Sequence, residues 1–254
     1  MKGKNKRTIQ SAENAFGILE SLQRREGARL SEVAADVSLS PSTVHQYLKT
    51  LEAGEFVVQD GDEYDVGLRF LELGEYARNR KPVYRLAREK VESLAEATGE
   101  RAQFAMEEHG RCVVLYTVTG EQAVETNIHT GKRVYLHATA AGKAILAHMS
   151  QSRVDDVIER HGLPAVTPNT ITDREELLEE CERIRETGVS MNRQEDTHGL
   201  WAIGVPVTGP DEVVLGALSI SGPTHRLKID GVRSEISDLL LGSANELELN
   251  LAYM

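Results

Sequence analysis

The sequence predicts an α+β chain in two parts, on three observations. Three short helical patterns crowd into residues 11–57 and lead into alternation around an Asp60–Gly61 turn. Past a linker helix at 68–79, strand-like runs come first, then helices, then two more strands and a closing helix. That order makes a mostly antiparallel sheet with helices packed on it. The charge also changes along the chain: residues 1–50 hold eight Lys/Arg against five Asp/Glu, and the remainder 21 against 35, for a net of −11 over 254 residues.

The first helix lies in "SAENAFGILESLQ" (11–23), where Ala12, Ala15, Phe16, Leu19 and Leu22 recur at helical spacing. "LSEVAADVSL" (30–39) is a second helix, with Ser31 as its cap and Val33, Ala34 and Val37 as its apolar side. A Ser38–Leu39 turn leads into "SPSTVHQYLKTLEAGEFV" (40–57). There Ser40 can cap through its hydroxyl, and Pro41 suits the first helical position because its missing N–H would have no partner there. Val44, Leu48 and Leu51 form the apolar face, and Gly54 fits a left-handed stop. "FVVQDGDEYDVG" (56–67) reads as a β-hairpin. Three short helices and a hairpin make a winged helix-turn-helix over residues 1–67. Its third helix is expected in the major groove of double-stranded DNA and its hairpin along the backbone. The polar face of that helix carries no acid, and Ser42, Thr43, His45, Gln46 and Lys49 are the candidate DNA contacts. Lys2, Lys4, Lys6 and Arg7 form a candidate basic arm.

Composition bounds the rest. No run approaches the ~20 apolar residues of a membrane span, and the basic start lacks an apolar core, so no membrane partner or secretory leader is expected. Cys112 and Cys181 are too few for a disulfide framework and lack metal-ligand spacing, which points to a cytoplasmic protein with two buried thiols and no cofactor. Nine lysines and 20 arginines face 40 acids, a balance like that of proteins from salt-loving archaea. Asp60, Asp62, Glu63 and Asp65 sit on the wing, where phosphate would favour Lys or Arg.

"LRFLELGEYARN" (68–79) reads as a linker helix, placing the linker at 68–81 and the second domain at 82–254. "VYRLAREKVESLAEATG" (83–99) is amphipathic through Leu86, Val91, Leu94 and Ala95. Strands are expected at 101–108, 112–120 and 122–131, with a His109–Gly110 turn between the first two. Helices are expected at 139–149, 152–162 and 173–188, a central strand pair at 201–209 and 213–221, and a final helix over 232–253. Ala140, Ala141 and Gly142 would offer free backbone N–H groups at a helix start, a ready anion site. Ser219 and Ser221, two apart on a strand, direct both hydroxyls to one face.

Over nearly its full length the chain resembles the IclR-type transcriptional regulators. Three stretches carry the resemblance: "STVHQYLKTLEAGEFV" (42–57), "LHATAAGKAILAHM" (136–149) and "GVSMNRQEDTHGLWAIGVPV" (188–207), the last followed by "LSISGP" (218–223). In the third, Gly188, Glu195, Ala202, Ile203, Gly204 and Val207 fall at the family's spacing. The resemblance implies a GAF-like effector domain whose pocket is lined by Ala140, Ala141, Asn192, Ala202, Ser219 and Ser221. It further implies a regulator with a pseudo-palindromic operator, a small effector such as a sugar acid or other organic acid, control of a catabolic pathway, and a homodimer that pairs into a tetramer. Asn192 stands where the family often has an acid, and Gln46 where it often has Arg, so neither effector nor operator transfers. Gln suits adenine rather than guanine. A redox- or metal-responsive regulator is the alternative. An enzyme is disfavoured, because the Glu195, Asp196 and His198 cluster lacks a nucleophile or metal spacing.

Overall fold

The computed structural model describes residues 8–253, and the candidate arm Lys2, Lys4, Lys6 and Arg7 lies outside them. The chain divides between Arg78 and Asn79 into two compact units.

In the first unit, α1 (Gln10–Arg25), α2 (Leu30–Val37) and α3 (Pro41–Ala53) surround a core of Ile18, Leu22, Val33, Val44, Leu48, Val57 and Tyr64. The face of α1 differs from expectation. Ile18 and Leu22 are buried, whereas Phe16 is 64% exposed beside Ile9 at 72%, so the helix carries a second apolar stripe directed outward. The start of α2 also differs. Ser31 lies inside the helix, and the Glu32 carboxylate accepts the Arg29 backbone N–H at 2.8 Å, closing the turn from the other side. The start of α3 follows its chemistry, with Pro41 first and the Ser40 hydroxyl accepting the Thr43 N–H at 3.2 Å. Its end does not: Gly54 keeps φ −85°, and Glu55 takes the left-handed conformation at φ 65°. The helix closes one residue later than expected: the Gly54 N–H still bonds the Thr50 carbonyl at 3.1 Å, and the Phe56 N–H bonds back to the Leu51 carbonyl at 2.9 Å, which puts Glu55 at the left-handed position. Gly67 lies against this turn, where a Cβ would stand 2.3 Å from the Glu55 carbonyl oxygen. The wing strands β2 (Val57–Asp60) and β3 (Glu63–Val66) turn at Gly61, φ 61°. A two-residue strand, β1 (Ala28–Arg29), pairs with β3 as well, giving the order β1-β3-β2. The unit ends in α4 (Arg69–Asn79), which buries none of its residues.

The second unit is a six-stranded antiparallel sheet between two helical layers. Its strands are β4 (Arg101–Glu108), β5 (Arg111–Thr119), β6 (Arg133–Tyr135), β7 (Ser190–Arg193), β8 (Leu200–Thr208) and β9 (Val214–Pro223), in the order β6-β5-β4-β9-β8-β7. His109 and Gly110 both take positive φ, 55° and 79°, and join β4 to β5 by the tight turn that matches strand twist. On one face, α5 (Pro82–Thr98) and α10 (Asp230–Ala252) cover Phe104, Ile203, Val205, Leu218 and Ile220. On the other, α6 (Ala140–Ala147), α7 (Gln151–His161) and α8 (Arg174–Thr187) cover Ala105, Cys112 and Ala217. A short α9 (Thr224–Leu227) precedes α10.

One expected strand is absent. Residues 122–131 form an irregular loop, and the third strand comes later, as β6. The stretch alternates well enough to mimic a strand, but the Thr126 hydroxyl accepts the Ile128 N–H at 3.3 Å and Gly131 turns at φ 84°. Local side-chain bonding of this kind competes with a ladder.

Candidate DNA-reading face and effector cavity

Four of the five candidate DNA contacts are exposed on α3: Ser42, His45, Gln46 and Lys49. Thr43 is half-buried, and its hydroxyl lies 2.8 Å from that of Ser40, inside the cap. The Lys49 ammonium is held by Glu52 at 2.7 Å and by the wing's Gln59 at 3.2 Å. This pairing continues around the unit. Arg25 binds Asp36 at 2.7 Å, Arg24 approaches the same carboxylate at 3.8 Å, and Arg29 meets the wing's Asp62 at 3.0 Å. Every Lys and Arg between residues 8 and 50 is therefore paired with a carboxylate of the same chain. The basic balance read from the sequence rests on the four cations of the arm. Asp60, Asp62, Glu63 and Asp65 are all exposed on the wing.

In the second unit the structure brings Ala140, Ala141, Asn192, Ala202, Ser219 and Ser221 to the wall of one cavity, whose enclosed volume is about 60 Å³. Three elements converge there. Strand alternation sets Gln103, Ser219 and Ser221 on one side, in register between β4 and β9. The start of α6 supplies Ala140 and Ala141, and the loop after β5 adds Thr126 and Ile128. Asp196 is the one charged residue of the wall among the described residues. The Thr197 hydroxyl donates to its carboxylate at 2.9 Å, and burial pushes its pKa above the usual carboxylate range.

Two expectations change in detail. The start of α6 is not three open donors, because Thr139 caps it and accepts the Gly142 N–H at 3.0 Å. Gly142 serves contact instead: a Cβ there would stand 2.2 Å from the Leu136 carbonyl oxygen, so glycine lets α6 lie against the preceding turn. Asn192 lines the cavity with an amide already engaged at both ends. Its Nδ2 donates to the Ala138 carbonyl at 2.7 Å, and its Oδ1 accepts the Glu195 N–H at 2.9 Å.

Sequence reasoning missed the charge network behind this wall. Lys143, one residue past Gly142, is 1% exposed and reaches Glu195 at 2.5 Å and Glu180 at 3.3 Å. Burial raises the pKa of Glu195 against the opposing pull of Lys143. Glu195 is thus an ion-pair partner, and His198 is exposed in the loop beyond it. Burial pushes the Cys112 thiol up to about 12 and Cys181 to about 11, so both stay protonated and poorly reactive at neutral pH. Among the described residues no cluster of His, Cys, Asp or Glu could hold a metal ion, and no helix is long and apolar enough to cross a membrane.

A winged helix-turn-helix joined to an antiparallel sheet domain with a lined cavity is the plan of a ligand-responsive, DNA-binding transcriptional regulator. Comparison with known proteins narrows this. The pattern of the IclR helix-turn-helix domain matches residues 11–61, and that of the bacterial transcriptional regulator IclR C-terminal domain matches residues 76–249. The chain is 34% identical to the probable HTH-type transcriptional regulator ArcR of Halobacterium salinarum, over 96% of this chain and 95% of that one. The Thermotoga maritima IclR crystal structure superposes with a TM-score of 0.81 at 27% identity, covering 97% of this chain and 100% of that one. An IclR homolog of Microbacterium hydrocarbonoxydans complexed with 4-hydroxybenzoate shares the fold, with a TM-score of 0.81 at 22% identity and 96% and 99% coverage. The chain belongs to the IclR family of transcriptional regulators, with a helix-turn-helix DNA-binding domain and an effector-binding C-terminal domain.

Proposed function

We propose that the cavity walled by Ala140, Ala141, Asn192, Ala202, Ser219 and Ser221 is the effector site, and that its occupant shifts operator binding by α3. The observation that carries this reading is the convergence of all six positions on one cavity wall. The effector is a small hydroxylated or carboxylated metabolite of a catabolic pathway under this regulator's control. The protein acts in the cytoplasm and catalyses nothing. Coupling between the two sites is ~1–3 kcal/mol, the usual range for such switches. Ala141→Asp and Ser219→Leu are expected to abolish the effector response while effector-free DNA affinity stays at its wild-type value. Footprinting with metabolites suggested by the neighbouring genes measures both, and full response in both variants moves the site elsewhere.

Ser42, Thr43, His45, Gln46 and Lys49 approach DNA, with Gln46 reading a base. Gln46→Ala is expected to relax preference at one operator position at a cost of ~1–3 kcal/mol there. Lys49→Ala weakens all sequences evenly. Selection of binding sites from a random pool distinguishes the two, and an unchanged preferred sequence in Gln46→Ala removes Gln46 as the reader.

The chain works as a homodimer on a pseudo-palindrome, joined through 11–23 and 68–79, with tetramers formed through the second units. Supporting this, Phe16 on α1 and Leu71, Leu73 and Tyr76 on α4 are 50–77% exposed. Apolar faces of that extent on a soluble unit call for a partner.

A further inference from the structure

We propose that Arg101 is the residue that recognises an anionic group, a carboxylate, on the effector. The inference rests on the reading that the cavity is the effector site. Arg101 is 6% exposed, yet among the described residues no carboxylate pairs with it. Its Nη2 donates to the Val124 carbonyl at 3.1 Å, and its Nε–H has no partner at all. Burial lowers its pKa, with no compensating acid. An unpaired buried guanidinium is costly and calls for an anion.

Its position says which anion. Arg101 lies on β4 two residues before Gln103 and opposite Ser221 of β9, while Gln103 lies opposite Ser219. Residues two apart share a strand face. Arg101 therefore stands on the sheet face that carries Gln103, Ser219 and Ser221, one position beyond the cavity wall and not itself part of it. The loop that covers it, holding Val124, also contributes Thr126 and Ile128 to that wall. A neutral carbonyl stands in for the missing counter-ion. A carboxylate entering along Gln103 and Ser221 replaces it, and takes two charge-assisted hydrogen bonds from the guanidinium where the carbonyl takes one uncharged-acceptor bond. The cavity wall itself offers no cation, and Asp196 lies among its acceptors, so a carboxylate has no competing charged anchor there.

The test measures melting temperature at fixed ionic strength with acetate, benzoate and 4-hydroxybenzoate, each against its amide. It uses the wild type, Arg101→Gln, Arg101→Lys and the cavity-filling Ser219→Leu. The wild type is expected to be stabilised by at least one acid and not by the matching amide. Arg101→Gln loses that preference while melting no lower than the wild type without ligand, because an unpaired charge has been removed. Arg101→Lys retains part of it. An acid preference that survives Arg101→Gln, absence of any preference in the wild type, or a large drop in ligand-free stability of Arg101→Gln overturns the proposal. Failure of the cavity reading looks different: the acid preference is lost in Arg101→Gln but survives Ser219→Leu.

Discussion

Lys143→Met is expected to destabilise the second unit by about 3–5 kcal/mol, the cost of breaking a buried ion pair from one side. The side chain is 1% exposed; of its carboxylate partners Glu195 is buried and Glu180 half-buried. Glu180 keeps Arg183 as a second cation, whereas Glu195 loses its only one among the described residues. The pH dependence identifies the source. Burial already holds the Glu195 pKa above its ordinary value, so between the unfolded and folded pKa the native state binds more protons than the unfolded chain. Its contribution to stability therefore falls as pH rises through that window. Without Lys143 the window extends upward. The deficit of Lys143→Met is largest near neutral pH and shrinks as pH falls, as Glu195 takes up a proton. Urea unfolding of the two proteins across this range reads the difference. The double variant Lys143→Met/Glu195→Gln should recover much of the loss, because two uncharged groups then face each other. A deficit equal at both ends of the range would trace the damage to packing and not to the orphaned carboxylate.

The network also marks where the sequence stopped being legible. What local chemistry decides was readable: Ser40 and Pro41 start α3, and Thr139 and Ala140 begin α6. Strand alternation was enough to send Ser219 and Ser221 to one face, and the family's spacing added Asn192 and Ala202 to the same wall. What depends on a partner far along the chain was not readable. Lys143 follows a glycine in a helix of small residues, and nothing nearby says that Glu195 will come to meet it. β1 has two residues and exists only because β3 pairs with it. β7 is hidden in a stretch whose polar residues are committed to backbone: the Ser190 hydroxyl donates to the Ala140 carbonyl at 2.6 Å, and Asn192 braces Ala138. Phe16 fits the periodicity of the buried face as well as Ile18 does, and only the packing of α1 on α2 and α3 separates them.

Operator affinity is expected to stay level or to rise between dilute and molar KCl, where most DNA-binding proteins weaken by orders of magnitude. In the ordinary case each phosphate contact releases a counterion, and making 6–10 contacts loses about 10³–10⁵ in affinity between 50 and 200 mM salt. Two features of this chain work against that slope. First, the wing offers phosphate four exposed carboxylates, Asp60, Asp62, Glu63 and Asp65. Their repulsion reaches ~10 Å at 0.1 M salt and only ~3 Å at 1 M. Second, Lys49 and Arg29 are tied to Glu52 and Asp62, so binding phosphate means giving up an internal partner. Such exposed pairs contribute little and weaken with salt, which frees the cations as the wing's repulsion fades. The fold should follow the same trend. Residues beyond 50 carry 35 acids against 21 bases, and that self-repulsion also falls with ionic strength. The melting temperature should therefore climb with KCl into the molar range. Replacing Asp60, Asp62, Glu63 and Asp65 together by Asn or Gln separates the two causes. The variant should bind more tightly in dilute salt and regain the ordinary steep decline, while its melting curve still rises with KCl. A wild type that loses affinity as steeply as the variant would show that the wing stands clear of the DNA, and the carboxylates would then act on the stability of the fold alone.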